Sequence, residues 1–229
     1  MLQFTPPFDN GLTMHKPVSL RTLCLSILLM SSCLQYAQAS DIQDAIQRLQ
    51  RLQSDPELTQ QAYAKGEERV TLCSYCHGKD GNSTRDDIPN LAEQNPQYLF
   101  TAFEKFATGE RSDYVMSKLA KILTEEERVN IALYFGMQKV TKKESERPDL
   151  AEQGKIRFLQ CTACHGNEGM GGFDKPRLAG QRAAYIRHAL NLFRSKDPRR
   201  AGSEMIPIAA TLSDADIEAL SHYLQSLNP

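Results

Sequence analysis

The 229-residue sequence lacks tryptophan and has only 7% aromatic residues and a net charge of -1 at neutral pH. A nucleic-acid-binding chain carries an excess of Lys and Arg, so the near-zero charge argues against that class. With 41% hydrophobic residues, the sequence also lacks the repeated apolar runs of a protein that crosses a membrane several times. No segment long enough to predict a β-strand alternates between apolar and polar residues. The chain length allows one or two domains.

The one long apolar stretch lies near the N-terminus and is typical of an export signal. It follows Arg21, covers residues 23–30 and is followed by Ala-Gln-Ala at residues 37–39. The stretch is shorter than the ~20 residues that span a membrane. We therefore predict a signal peptide over residues 1–39, cleaved after the second of these alanines. Cys33 leaves a lipid anchor open as a minor alternative.

The rest of the sequence contains two similar halves, which align when the chain is shifted against itself by about 88 residues. The matched features are a Cys-x-x-Cys-His-Gly motif, a Pro-x-Leu-Ala-x-Gln motif, aromatic residues at helical spacing and a late Met. A polar segment with one Pro separates the halves, as a linker does. The predicted organisation is an N-terminal extension over 40–59, a first domain over 60–138, a linker over 139–149 and a second domain over 150–229.

Each half reads as helices joined by long loops. Asn95 is expected to cap a helix that has Pro96 in its first turn and ends at Gly109. The sequences Thr-Glu-Glu-Glu from Thr124 and Ser-Asp-Ala-Asp from Ser213 predict capping boxes at the start of the last helix of each half. Residues 41–58 add an amphipathic segment that has no counterpart in the second half. The predicted fold class is all-α.

The two Cys-x-x-Cys-His motifs carry the chemistry. On a helical turn residues i and i+3 share a face and i+4 lies beside them, so both cysteines can form thioethers to one haem while the His lies beneath its iron. This motif is the signature of c-type haem attachment. Each helical domain is therefore expected to enclose one covalent haem. The predicted attachment residues are Cys73, Cys76, Cys161 and Cys164, and the predicted proximal iron ligands are His77 and His165.

Three other uses of paired cysteines fit the sequence less well. A four-cysteine zinc site has its pairs about 15 to 20 residues apart, whereas Cys76 and Cys161 are about 85 residues apart. A thioredoxin-like redox pair needs a βαβ context, which the sequence lacks. Structural disulfides would leave the two adjacent histidines unexplained.

Methionines at matched positions suggest the second axial ligand of each iron. Met116 and Met205 each follow the proximal His of their half by about 40 residues, whereas Met137 and Met170 have no counterpart. Met116 and Met205 are the predicted distal ligands, and thioether sulfur stabilises ferrous iron. With both axial positions filled, the irons have no open site for substrate. This favours an electron carrier over an enzyme, and no catalytic residue is predicted.

Two histidines and two prolines complete the candidates near the irons. His188 and His222 lie off the apolar faces of their helices and are expected to be ordinary surface residues. Pro89 and Pro176 follow the proximal histidines by about 12 residues. Their carbonyl groups are expected to accept the Nδ1 proton of His77 and His165 and fix the ring orientation, with plain loop prolines as the alternative.

Taken together, the tandem Cys-x-x-Cys-His-Gly units, the Pro-x-Leu-Ala-x-Gln repeat, the aromatic helix and the late Met resemble the di-haem cytochrome c4 family over residues 60–229. The resemblance implies two class-I cytochrome c domains with two covalently bound c-type haems facing each other near the interface. It also implies periplasmic electron delivery, typically towards a terminal oxidase. The family usually has Pro before its distal Met, whereas this chain has Val115 and Glu204.

The expected partners are a redox donor and an acceptor, such as a cytochrome complex, a terminal oxidase or a dehydrogenase, with peripheral membrane association left open. A cytochrome subunit of a flavoprotein dehydrogenase and a di-haem peroxidase-type enzyme are the alternatives. Residues 41–138 carry 11 basic and 16 acidic residues, and residues 139–229 carry 14 and 11. Such a dipole can orient the molecule towards its partners. The expected docking cluster on the second domain is Arg194, Lys196, Arg199 and Arg200.

Overall fold

A computed structural model describes residues 42–229, so the predicted signal peptide with Cys24 and Cys33 lies outside the described residues. Within residues 42–229 the regular structure is helical, and a single β-bridge joins Gly172 and Lys175. The all-α prediction is confirmed. Among these helices, none combines the length and the apolar character that a membrane crossing requires.

The first half is built from six helices. Asp55 separates the first two, because its carboxylate accepts hydrogen bonds from the backbone N–H groups of Glu57 and Leu58 and caps the second helix. That second helix contains the predicted boundary between residues 59 and 60. The helices are α1 (42–54), α2 (Pro56–Arg69), α3 (Thr71–His77), α4 (Pro96–Thr108), α5 (Met116–Ile122) and α6 (Glu125–Gly136).

The second half repeats this order from α2 onwards, with short 3-10 turns between the helices. Each helix of the second half therefore has a counterpart in the first, whereas α1 has none. The elements are a 3-10 turn (Pro148–Leu150), α7 (Ala151–Phe158), a 3-10 turn (Leu159–Cys161), α8 (Thr162–His165), α9 (Ala183–Arg194), a 3-10 turn (Pro198–Arg200), α10 (Met205–Ala209) and α11 (Asp214–Ser226).

Capping explains where several of these helices begin. Thr124 forms a reciprocal capping box with Glu127 at the start of α6, and Ser213 does the same with Asp216 at the start of α11. Both predictions are confirmed. Helix α4 has the predicted bounds, but the side chain of Asn95 makes no capping hydrogen bond. That part of the prediction is wrong, because the Asn95 amide donates across to the second half instead.

The first and last helices of each domain approach closely at a glycine. Helix α2 contacts α6 at Gly66, where an added Cβ would lie only 2.7 Å from the Cβ atom of Tyr134. Helix α7 contacts α11 at Gly154, where an added Cβ would lie 2.8 Å from the carbonyl carbon of Ala219. Both distances are shorter than any real contact, so the crossing requires glycine in each domain. The helices that lead into the two haem motifs are fixed in this way.

The amphipathic segment before the first domain packs onto that domain. Ala45 and Leu49 of α1 are fully buried, and Arg48 forms a 3.0 Å ion pair with Glu126 of α6. Helix α1 therefore buries an apolar face, as the amphipathic pattern predicts. The helix ends before Asp55, which caps α2, so the amphipathic segment is divided between two helices.

Candidate functional site

Both predicted proximal histidines are buried and held by the predicted prolines. Nδ1 of His77 lies 2.9 Å from the carbonyl oxygen of Pro89, and Nδ1 of His165 lies 3.1 Å from that of Pro176. A carbonyl oxygen can only accept, so Nδ1 carries the proton in each ring. The lone pair of each ring therefore sits on Nε2, where a neutral imidazole binds a metal.

Burial keeps these rings in the form that a metal requires. Removal from water lowers the pKa of His77 and of His165 below the ordinary value of 6.5, and this exceeds the opposing effect of the carbonyl hydrogen bonds. Both rings are consequently neutral at pH 7. A protonated imidazole would have no lone pair to donate.

The four motif cysteines lie on helical backbone, as their spacing predicts. In the first domain Cys73 and Cys76 share helix α3 with His77. In the second domain Cys161 ends a 3-10 turn that continues directly into α8, which holds Cys164 and His165. Within the described residues none of the four cysteines is in a disulfide, and burial raises the pKa of Cys73 and of Cys161. The donor set of two thiols and one neutral imidazole per motif fits covalent haem attachment.

A glycine ends each motif helix and turns the chain towards the proline. Gly78 has φ +80° and Gly166 has φ +75°, a left-handed conformation that residues with a Cβ adopt only with strain. At Gly78 a Cβ would also lie 2.8 Å from the carbonyl carbon of Asn82. The glycine directly after each histidine is therefore a structural requirement for bringing the proline carbonyl back under the histidine.

The two predicted distal methionines occupy equivalent places. Met116 is the first residue of α5 and Met205 the first residue of α10, and both side chains are partly buried. Each backbone N–H is held by a side chain just before it, at 2.9 Å from a carboxylate oxygen of Asp113 and 3.3 Å from the hydroxyl oxygen of Ser203. Met205 also packs against the hydrophobic core of the second domain, as does Cys161.

The other methionines occupy different positions. Met137 follows the end of α6 and is 44% exposed. Met170 lies in the loop after the second motif, where its carbonyl oxygen accepts a hydrogen bond from the Asn95 amide. Met116 and Met205 therefore occupy equivalent positions in the two domains, whereas Met137 and Met170 do not, in agreement with the repeat.

The two histidines outside the motifs differ from each other. His188 is exposed, as predicted. His222 is only 5% exposed, so the prediction of a surface residue is wrong. The linker folds over α11, which places the Ser145 hydroxyl 3.0 Å from Nδ1, while Nε2 lies 3.1 Å from a carboxylate oxygen of Glu218. Both ring nitrogens have partners, so His222 is a structural residue.

The sequence does not predict which residues form the interface between the two domains, and two glutamines are central to it. Gln181 accepts a hydrogen bond from the backbone N–H of Asn90 at 2.7 Å and donates to the carbonyl oxygen of the same residue at 3.0 Å. Gln94 makes the same pair of bonds to Arg177, at 2.6 Å and 3.0 Å. Both glutamines end the repeated Pro-x-Leu-Ala-x-Gln motif, and both of their partners follow its proline.

Arg177 is the largest fully buried side chain of this interface. Its guanidinium donates to the carbonyl oxygens of Ala92 at 2.7 Å and Glu93 at 3.1 Å, both in the first domain, and to that of Ala179. Burial lowers its pKa to about 10, which still leaves the group charged at neutral pH. Carbonyl groups therefore solvate this buried cation, and the nearby Glu93 carboxylate favours its charged form without forming an ion pair with it.

A second cation lies near the interface with aromatic partners. The Arg111 guanidinium is 3.0 Å from the hydroxyl group of Tyr185 and 4.4 Å from the ring centre of Phe106. Within residues 42–229 no carboxylate forms an ion pair with it. An arginine with only phenol and ring contacts can accept an anionic group, which the carboxylates of a haem would supply.

The predicted docking cluster is largely engaged within the domain. Arg194 forms an ion pair with Asp214, and Arg199 forms one with Asp197. Arg200 lies over the ring of Phe193. The backbone carbonyl of Arg199 also accepts a hydrogen bond from Ser112 of the first domain. Lys196 is exposed, and within residues 42–229 its side chain forms no ion pair or hydrogen bond.

Comparisons with other proteins agree with these features. A sequence model of the cytochrome c family matches residues 151–228. Cytochrome c4 of Pseudomonas aeruginosa is 35% identical over 180 residues, covering 72% of this chain and 88% of that protein. The crystal structure of reduced recombinant cytochrome c4 from Pseudomonas stutzeri is similar with a TM-score of 0.66 at 35% identity, covering 71% of this chain and 97% of that one. A thiosulfate dehydrogenase electron acceptor of Thiomonas intermedia is 31% identical over 186 residues, covering 73% and 85%.

Proposed function

Since this chain belongs to the di-haem cytochrome c4 family, we propose that its two Cys-x-x-Cys-His motifs each hold one of its two c-type haems for electron transfer. Cys73 and Cys76 would form the thioethers of the first haem, and Cys161 and Cys164 those of the second. When bound, each haem supplies an iron that gains or loses one electron.

One observation carries the assignment of the proximal ligands. In both domains a buried histidine directly after the second cysteine donates its Nδ1 proton to a proline carbonyl. This bond orients the ring and presents Nε2 of His77 and of His165 to the iron, as in other histidine–metal sites. The same arrangement occurs twice in one chain, so a chance hydrogen bond does not account for it.

Met116 and Met205 are the proposed distal ligands. Their matched positions at the start of α5 and α10, and their partial burial, support the assignment. Soft thioether sulfur favours ferrous iron and raises the potential. Because His and Met together fill both axial positions, we assign the protein no catalytic site and a role as carrier.

The oxidised absorption spectrum tests these ligands. The weak near-infrared methionine–sulfur band should account for two haems in the wild-type protein. Met116→Ala and Met205→Ala should each remove about half of its intensity, since each removes one of two equivalent ligands. Met137→Ala, at an exposed position, is the matched control and should leave the band unchanged. A high-spin haem in the wild-type protein would contradict the carrier function.

The place of action follows from the predicted signal peptide over residues 1–39, which directs the mature chain to the periplasm. There the protein would pass electrons from a membrane-bound donor complex towards a terminal oxidase. A second role is favoured by the similarity to a thiosulfate dehydrogenase electron acceptor, namely service to a periplasmic dehydrogenase. Affinity purification of the holoprotein from native membranes separates the two, because a stoichiometric dehydrogenase would identify the second role and a cytochrome oxidase the first.

A further inference from the structure

We propose that Gln181 and Gln94 are positioning residues that tune the reduction potential of the haem in the opposite domain. The proposal rests on the proposed function, since it takes His77 and His165 as the proximal ligands. Each glutamine acts through the single peptide group that holds the proximal histidine of the other domain.

The first chain of hydrogen bonds runs from the second domain into the first. The peptide between Pro89 and Asn90 has its C=O 2.9 Å from Nδ1 of His77 and its N–H 2.7 Å from the side-chain oxygen of Gln181. One peptide group therefore accepts from the ligand on one side and donates to the glutamine on the other. The side-chain amide of Gln181 also donates to the carbonyl oxygen of Asn90, so two hydrogen bonds hold the glutamine side chain against the backbone of Asn90.

The second chain runs in the opposite direction with the same atoms. The peptide between Pro176 and Arg177 has its C=O 3.1 Å from Nδ1 of His165 and its N–H 2.6 Å from the side-chain oxygen of Gln94. The amide of Gln94 donates to the carbonyl oxygen of Arg177 at 3.0 Å. Each domain thus supplies a glutamine that supports the proximal histidine of the other domain.

Burial makes these bonds effective. Gln94 and Gln181 are each 3% exposed, and their partners Asn90 and Arg177 are 1% and 0% exposed. Water cannot readily replace a lost glutamine there, and hydrogen bonds in a low-dielectric interior are stronger than bonds at the surface. An N–H group left without an acceptor in such a place carries a desolvation cost.

The direction in which each glutamine shifts the haem potential follows from the direction of the hydrogen bonds between the histidine, the peptide group and the glutamine. An acceptor on the N–H side of a peptide increases the negative charge on its carbonyl oxygen, because hydrogen bonds in series polarise one another. A more negative carbonyl draws the Nδ1 proton more strongly and makes the histidine a more basic ligand. A more basic ligand stabilises the ferric state, so each glutamine lowers the potential of the haem opposite.

The magnitude is set by distance from the iron. Groups bonded directly to a metal ligand change affinity or activity by about 10–100-fold. Each glutamine is one hydrogen bond further away, so removing it should change the equilibrium constant for reduction by about threefold. For a one-electron couple this is about 28 mV, given 59 mV for each factor of ten.

The test replaces each glutamine by methionine, which keeps the length and removes the amide. In the holoprotein, Gln181→Met should raise the equilibrium constant for reduction of the first haem about threefold, which is a rise of about 28 mV in its potential. Gln94→Met should do the same for the second haem. Both potentials are followed by NMR during redox titration, with haem resonances assigned to each domain. The Nδ1 proton signal of His77 should move upfield in Gln181→Met and stay in place in Gln94→Met.

Gln225 provides a matched control within the same chain. It is 4% exposed, accepts from the backbone N–H of Ala183 at 2.9 Å and donates to the carbonyl oxygen of Glu144 at 3.0 Å. Its bonds thus resemble those of the two interface glutamines, but neither reaches a peptide that holds a proximal histidine. Gln225→Met should destabilise the protein and leave both potentials unchanged.

The crossed pattern decides between tuning and a merely structural role. Equal shifts of both haems in either variant, or shifts no larger than those in Gln225→Met, would overturn the proposal. If Gln181→Met does not retain haem, Gln181→Asn, which withdraws the amide by one carbon, is measured with the same expectation. A wild-type spectrum without two His/Met haems would refute the proposed function itself, whereas normal spectra with unshifted potentials would refute only the tuning.

Discussion

Replacing Gly66 by alanine tests how closely the first and last helices of a domain approach. The added Cβ would lie 2.7 Å from the Cβ atom of Tyr134, and ordinary contact begins at 3.4 Å. Relieving this contact alone would require helices α2 and α6 to separate by about 0.7 Å, and the carbonyl oxygen of Asn130, which is closer still, requires more. The nearest neighbours of the added Cβ include the backbone carbonyl group of Asn130, so rotation of a side chain cannot relieve the overlap.

Two opposing effects set the size of the loss. Alanine is favoured over glycine inside a helix by about 1 kcal/mol. Overpacking of a filled contact costs about 1–3 kcal/mol, and a clash with backbone belongs at the upper end of that range. The free energy of unfolding of the first domain should therefore fall by about 2 kcal/mol. Gly154→Ala should have at least the same effect on the second domain, since the equivalent atoms of α11 lie closer to Gly154 than those of α6 lie to Gly66.

The assay is guanidinium chloride unfolding of the oxidised holoprotein, followed by circular dichroism and by the methionine–sulfur band. Each variant weakens one domain, so about half of the band should disappear at a lower denaturant concentration than the rest. Glu68→Ala, on the exposed face of α2, is the control and should change stability by no more than about 0.5 kcal/mol. A Gly66→Ala protein as stable as the wild type would refute the close crossing.

Arg177→Met should lower the free energy of unfolding by about 3 kcal/mol, because it leaves the carbonyl oxygens of Ala92 and Glu93 buried without donors; denaturant titration would contradict this if the loss were below about 1 kcal/mol. Ser213→Ala should cost about 1 kcal/mol in the same titration, by removing a helix cap. A hydrogen bond from Arg157 holds the pKa of Asp216 well below its usual range. The ionised Asp216 should therefore stabilise the fold fully at neutral pH, and this stabilisation should fade as the pH falls below about 4. In acid unfolding, the Asp216→Asn protein should not show the loss of stability that Asp216 causes in the wild type.

The haem chemistry could be predicted because it depends on residues that are adjacent in sequence. A Cys-x-x-Cys-His motif places three groups on one helical turn whatever the rest of the fold does. The proline carbonyls are also close in sequence to their histidines, and the repeat showed which loop residues correspond. The roles of Pro89 and Pro176 as acceptors from the histidine rings are confirmed by the hydrogen bonds.

The interface could not be predicted because its partners are about 80 to 90 residues apart. The sequence shows that Gln94 and Gln181 recur, but not that each binds the domain of the other. For the same reason the residue type of Asn95 predicts a helix cap, which is a local role, whereas its amide donates to the carbonyl oxygen of Lys175 in the second half. The burial of His222 could not be predicted, because the linker that covers it has no sequence pattern of its own. The pairing with Glu218, four residues earlier on α11, was the available signal.

The linker over residues 139–149 has a kinetic consequence. Lys139 forms an ion pair with Glu93 of the first domain, and the carbonyl group of Glu144 accepts a hydrogen bond from Gln225 of the second. The linker is thereby fastened to the first domain at its first residue and to the second domain at its middle, and the two domains meet without a diffusional encounter. Exchange of an electron between the two haems is then a first-order process. Its rate constant should be the same at any protein concentration, whereas reduction by an external donor should slow in proportion to dilution.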